Sequence, residues 1–138
     1  MFTGRFMTTK QPPARDRQDD PDGRIVRFGE QSLQPHVAHD GVGHVLARRA
    51  RKHGDGVNCN FIDCVVVPAG AMIGVHTHAL DNEEIYVVLA GHGVMTIEHE
   101  ERAVGPGDVI INPPGGTHGL RNTGAADLRL VVIEYPVG

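Results

Sequence analysis

Turn residues break this chain so often that no long helix can form, and that constrains its fold more than any other feature. Apolar stretches are short and each runs into a breaker: NCNFIDCVVV into PAGA, MIGVHTH into ALDN, EEIYVVLA into GHG, VMTIEH into EERA, GDVIINP into PGG, and THGLRN into TGAAD. RIVRF and GVGHVLARRAR precede them, and LRLVVIEY closes the series. The chain holds 18 Gly and 9 Pro, and the segments between them are rich in Val and Ile, the residues that suit a pleated surface. No segment of helical length keeps a helical period between breakers. About nine short strands at regular spacing predict an all-β sandwich or barrel.

The 138 residues suit one domain. Aromatic residues are 4% of the chain and Trp is absent, so the predicted core is aliphatic. Residues 1–23, with TTKQPPARDRQDDPDG, hold little that can be buried and are expected to form a tail, or an arm that orders on a partner subunit. The domain is expected to span residues 24–138. The formal net charge of −4 disfavours a nucleic-acid binder. No apolar run is long enough to span a membrane, and the N-terminus lacks the apolar core of a secretory signal, so a cytoplasmic location is expected. Cys59 and Cys64, read as lying on one strand, are expected to be small buried thiols rather than a disulfide. The basic run Arg48, Arg49, Arg51 and Lys52 reads as a solvated strand end, with an anionic-ligand or subunit contact as the alternative.

The stretch GVHTHALDNEEIYVVLAG carries the chemistry. In a strand, residues two apart share a face, so His76 and His78 project together. A turn then returns the chain and brings Glu83 or Glu84 towards the same point. Neutral imidazoles bind Zn, Fe, Ni and Cu well, so a metal site is expected. Further on, GDVIINPPGGTHGLRN offers His118 after a Pro-Gly turn.

Together these stretches resemble the two motifs of the cupin superfamily. Gly70, His76, His78, Glu84 and Gly91 fit the first motif, except that five residues rather than three or four separate His78 from Glu84. Glu83 restores that spacing but sets the wrong distance to Gly91. Glu84 is therefore favoured, with Glu83 the alternative. Gly107, Pro113, Gly115, His118 and Asn122 match the second motif at every position.

The resemblance implies a small antiparallel β-barrel of the jelly-roll, double-stranded β-helix type. It also implies one divalent transition-metal ion per chain, Fe, Zn, Mn, Ni or Cu, held by His76, His78, Glu84 and His118. Such a centre would leave two positions open, which favours a metal-dependent enzyme acting on a small organic substrate. A dioxygenase or oxidase and a Lewis-acid isomerase or cyclase are equally compatible. The alternative is a non-catalytic cupin that binds a sugar-like ligand. Tyr86 and Val88 share the face of Glu84, which makes Tyr86 a candidate hydrogen-bond donor or general acid. Leu120 shares the face of His118. The strand faces of Asn60, Asp63, Met95 and Asn112 stay open, and Asn122 is expected to close a turn. His36, His39 and His53 read as surface residues, His92 and His99 as hairpin tips, and His44 as core or surface. A homodimer is expected, with RIVRF and the tail covering a partner's sheet edge.

Overall fold

The computed structural model describes residues 18–29 and 32–138; residues 1–17, most of the expected tail, lie outside the described residues. The chain divides into two units, Met1–Ser32 and Leu33–Gly138. In the first, residues 18–29 form turns. The Arg27 amide donates to the Asp19 carboxylate, the Asp20 amide donates to the Ile25 carbonyl, and Arg27 pairs with Asp20. RIVRF is therefore not the strand its apolar residues predicted, because local turns and carboxylates satisfy the backbone that a sheet neighbour would otherwise pair.

Among the described residues, all ten strands belong to the second unit: β1 (Gln34–His36), β2 (Val45–Lys52), β3 (Phe61–Val67), β4 (Met72–Thr77), β5 (Asn82–Ala90), β6 (Gly93–Ile97), β7 (Glu100–Val104), β8 (Val109–Asn112), β9 (Thr117–Asn122) and β10 (Leu128–Pro136). They form two antiparallel sheets. One has six strands in the order β1-β2-β3-β10-β5-β8, and the other has four in the order β4-β9-β6-β7. The sheets face each other across one core without closing into a continuous ladder, as a jelly roll does. Two strands lie where loops and turns were expected. β1 falls in QPH and β7 in EERAV, and both are sheet edges with almost no side-chain burial to mark them.

Alternation decides what faces inward. On β10, Leu128, Leu130 and Val132 are buried, and the same parity carries Glu134 inward at the end of the strand. On β5, Glu84, Tyr86 and Val88 are buried, and on β9, His118, Leu120 and Asn122. Met95 on β6 pairs with Leu120 and is fully buried. The core is aliphatic as expected, with Val45, Val65, Val67 and Leu130 at its centre. Each such side chain contributes roughly 1.5–3 kcal/mol by leaving water. One end of this interior is therefore apolar and the other carries the polar groups.

Two smaller expectations resolve here. Asn122 ties three segments together: its amide nitrogen donates to the carbonyls of Val67 and Ala126, and its oxygen accepts from the Gly124 amide. Cys59 and Cys64 are buried and form no disulfide, but Cys59 precedes β3 rather than sharing the strand. Among the described residues, no helix is long and apolar enough to cross a membrane.

Candidate metal centre

The polar end of the interior gathers side chains from both sheets. Strand β4 begins with Ile73 inward, so strict alternation would turn Val75 inward next and leave His76 outside. A register shift between Ile73 and His76 reverses the phase. Val75 faces solvent, and His76 and His78 point inward, with His76 directly opposite His118 on β9. Across the gap, β5 presents Glu84, which is 5% exposed. The cluster is His76, His78, Glu84 and His118, one donor atom from each, all within 4.8 Å of one another. Glu83 has the opposite parity and is outside the cluster, as the Gly91 register implied.

Hydrogen bonds orient the rings. His76 Nδ1–H donates to the Gly74 carbonyl at 2.8 Å. His78 Nδ1–H donates to Asn82 Oδ1 at 2.8 Å, and the Asn82 amide is itself oriented by donating to Asp81. Each neutral ring has one N–H, so both Nε2 atoms carry lone pairs. Those two atoms face each other at 3.2 Å. Glu84 Oε1 lies 3.4 Å from His78 Nε2 and 3.2 Å from His118 Nε2. Donors about 2.1 Å from one ion are about 3.0 Å apart at right angles and about 3.4 Å apart at the tetrahedral angle. Facing lone pairs and a carboxylate at this spacing fit a cation between them.

The electrostatics agree. Burial pushes the His76 imidazole down to about 4, so near pH 7 its lone pair is free. Burial alone would raise the Glu84 carboxyl, but the His118 hydrogen bond and the electrostatic influence of the neighbouring His78 and His118 rings outweigh it and the net shift is downward. Burial, then the Glu84 charge, pushes the Tyr86 phenol well above its usual range, so it keeps its proton. Its hydroxyl lies 3.5 Å from His118 Nε2.

A pH dependence follows for the metal-free protein. The folded pKa of His76 lies below its unfolded value of 6.5, so between about 4 and 6.5 the unfolded chain binds more protons. Stability from this group is complete above pH 6.5 and falls as pH drops towards 4. The lowered Glu84 pKa acts in the same sense below 4.5. Thermal unfolding of metal-free protein should show a midpoint that declines from about pH 7 to about pH 5; a flat profile would contradict this account.

Sequence reasoning placed none of four further residues beside the cluster, although Arg49 was read with an anionic-ligand contact as an alternative and the strand face of Asp63 was left open. His39 is exposed, as expected, but its ring stacks on His76 with centroids 3.4 Å apart. Arg49, Asp63 and Glu134 line the adjoining cavity of ≈ 300 Å³. The available signal was parity: Asp63 follows Phe61 and precedes Val65 on the inward face, and Glu134 continues Leu128, Leu130 and Val132. The remaining histidines, His36, His44, His53, His92 and His99, are exposed. Asn112 is inward and buried opposite Glu84.

Comparison with known proteins places this architecture. Residues 64–134 match the family model Cupin_2, described as a cupin domain. An uncharacterised protein of Methanocaldococcus jannaschii is 30% identical over 115 residues, 82% of this chain and 88% of that protein. An oxalate-binding protein of Thermotoga maritima is 33% identical over 92 residues, 67% of this chain and 72% of that protein. The crystal structure of a predicted oxalate decarboxylase from Thermotoga maritima superposes with a TM-score of 0.76 at 25% identity, covering 82% of this chain and 99% of that one. The family match spans His76, His78, Glu84 and His118, and 82% of the chain superposes on a solved relative: the chain belongs to the cupin family.

Proposed function

We propose that His76, His78, Glu84 and His118 hold one divalent transition-metal ion, and that the protein is a metal-dependent enzyme acting on a small chelating organic acid. The observation that carries this reading is the pair of Nε2 lone pairs held face to face at 3.2 Å beside a buried carboxylate. A bound ion would supply open positions for a chelating substrate, polarise its oxygens and, for a redox-active metal, exchange electrons. The Gly74 carbonyl and the Asn82 amide keep the two imidazoles aimed at one point, as outer-shell partners do. Tyr86, holding its proton, donates a hydrogen bond at the inner wall and is the candidate general acid. Val65, Ile73 and Val132 give the cavity a dry side.

The oxalate-binding relative supports a small acid as ligand. The same relative favours a second reading, binding without turnover. Elemental analysis of untagged protein purified anaerobically tests the centre. Near-stoichiometric metal, lost in His76→Ala, is expected. Iron directs the substrate screen to O2 uptake, and zinc directs it to isomerisation or cyclisation. No metal in wild type after reconstitution would sink the reading, whereas saturable acid binding without turnover would establish the second.

We also propose a homodimer, now on different grounds from RIVRF. Leu89, Val109 and Ile111 are exposed on the outer face of β5 and β8, next to the partly buried Ile85 and Val87. An apolar sheet face of this kind suits a second copy. Light scattering at micromolar concentration should give twice the chain mass; a monomer would refute it.

A further inference from the structure

The cavity beside the metal cluster has a second polar end. Arg49 and Asp63 are opposite each other on β2 and β3, and both line this cavity. A second hollow of ≈ 340 Å³ is also lined by Arg49 and Asp63, so the pair stands where the two meet. Arg49 is pinned on two sides. Its Nε and Nη2 donate to the two oxygens of Asp63 at 2.9 and 3.0 Å, and its Cζ lies 4.2 Å from the centroid of the Phe61 ring. Two of the five guanidinium N–H groups are used, which leaves three to donate to a ligand. Asp63 keeps unused lone pairs. Glu134 adds a further carboxylate: its Oε1 accepts from the Asn60 amide, and its Oε2 is 4.0 Å from His78 Nδ1.

Charge and hydrogen-bond chemistry then limit what can sit here. Arg49 and Asp63 neutralise each other, and Glu134 leaves this end with one negative charge. A carboxylate would face two carboxylates and a guanidinium already spent on one of them. An ammonium has no acceptor for the Arg49 N–H groups. A hydroxyl both donates and accepts, and satisfies all three side chains.

We propose that the cavity takes a ligand with a chelating acid at the metal end and neutral hydroxyl groups at the Arg49–Asp63 end: a polyhydroxy acid rather than an acid with a second carboxylate at that end. This rests on the metal-centre reading above. Arg49 and Asp63 are specificity-determining residues: they meet the hydroxyl end of the ligand and touch none of its chelating atoms.

The experiment is calorimetric titration of metal-loaded protein with glycolate, threonate and malate. All three share an α-hydroxy acid head. Threonate ends in hydroxyls and malate in a carboxylate, and both should have the same configuration at the α carbon. Threonate is expected to bind about tenfold or more tighter than malate. Asp63→Asn strips one negative charge and frees the Arg49 charge, so malate is expected to overtake threonate, with metal content and glycolate affinity unchanged. Arg49→Gln provides an independent check: threonate affinity falls while glycolate affinity holds. Malate binding as tightly as threonate to wild type, with glycolate also bound, overturns the inference and leaves the metal reading standing. Failure of all three to bind overturns it together with the chelating-acid reading, and elemental analysis then shows separately whether the metal centre survives.

Discussion

Glu84→Gln is expected to cost the protein its metal, while Glu83→Gln leaves metal binding unchanged. The two residues are neighbours on β5, but the pleat sends them to opposite faces. Glu84 Oε1 reaches both His78 and His118, and the carboxylate is buried away from water. Glutamine has the same shape and still accepts a hydrogen bond from His118. What it lacks is the negative charge that offsets a dication in a desolvated site. Loss of an outer-shell partner already lowers metal affinity about 10–100-fold, so loss of a direct carboxylate should lower it on the order of 100-fold or more. Competition against a chromogenic chelator measures this. The metal-free variant should unfold within a few degrees of wild type, because the substitution removes charge without creating a cavity. Equal affinity in Glu84→Gln and wild type would show that the carboxylate is not a ligand.

Much of this was legible in the sequence because strand parity and turn chemistry are local properties. Gly, Pro and Asn mark the strand ends, and alternation along β5, β9 and β10 separates inner from outer residues without knowledge of neighbours. That is why Glu84, Tyr86, Val88 and Leu120 could be placed together. Two features escaped for opposite reasons. RIVRF is apolar enough to read as a strand, yet strand formation needs a partner, which composition cannot supply. β1 and β7 have partners but almost no buried side chains, so main-chain pairing holds them and their composition carries no trace of it. His76 and His78 face inward because of a bulge, and alternation counted from Ile73 would have placed them outside. The family motif, not the period, carried that assignment. His39, Arg49, Asp63 and Glu134 were out of reach because their role depends on two sheets meeting. Parity puts each on a face; only the packing of one sheet on the other shows that the faces enclose a cavity beside the cluster of His76, His78, Glu84 and His118.

The same bulge makes Gly74 the position where fold and site depend on one another, and Gly74→Ala should damage both. The segment from Ala38 to Gly41 crosses directly over β4 here. The Gly74 amide donates to the Ala38 carbonyl at 2.9 Å, and the Gly41 amide donates to the same oxygen at 3.0 Å. A Cβ on Gly74 would overlap the His39 carbonyl oxygen, and the obstacle is backbone rather than a side chain that can rotate away. Either β4 or the crossing segment must move. Overpacking of this kind costs about 1–3 kcal/mol, and the upper end applies because main chain has little room to yield. On a chain of this length that lowers the unfolding midpoint by roughly 10 °C. Movement also reaches the cluster from two directions: the Gly74 carbonyl orients His76, and His39, on the displaced segment, stacks on the same ring. Metal affinity should therefore fall about tenfold, as for loss of an outer-shell partner. Gly70→Ala is the control, since its positive φ of 78° brings some strain but a Cβ there meets open space. It should cost about 1 kcal/mol and leave metal binding intact. Unfolding scans and metal titrations of the two variants separate the effects. A Gly74→Ala protein with wild-type stability and affinity would mean that the crossing segment is not seated on β4 as described.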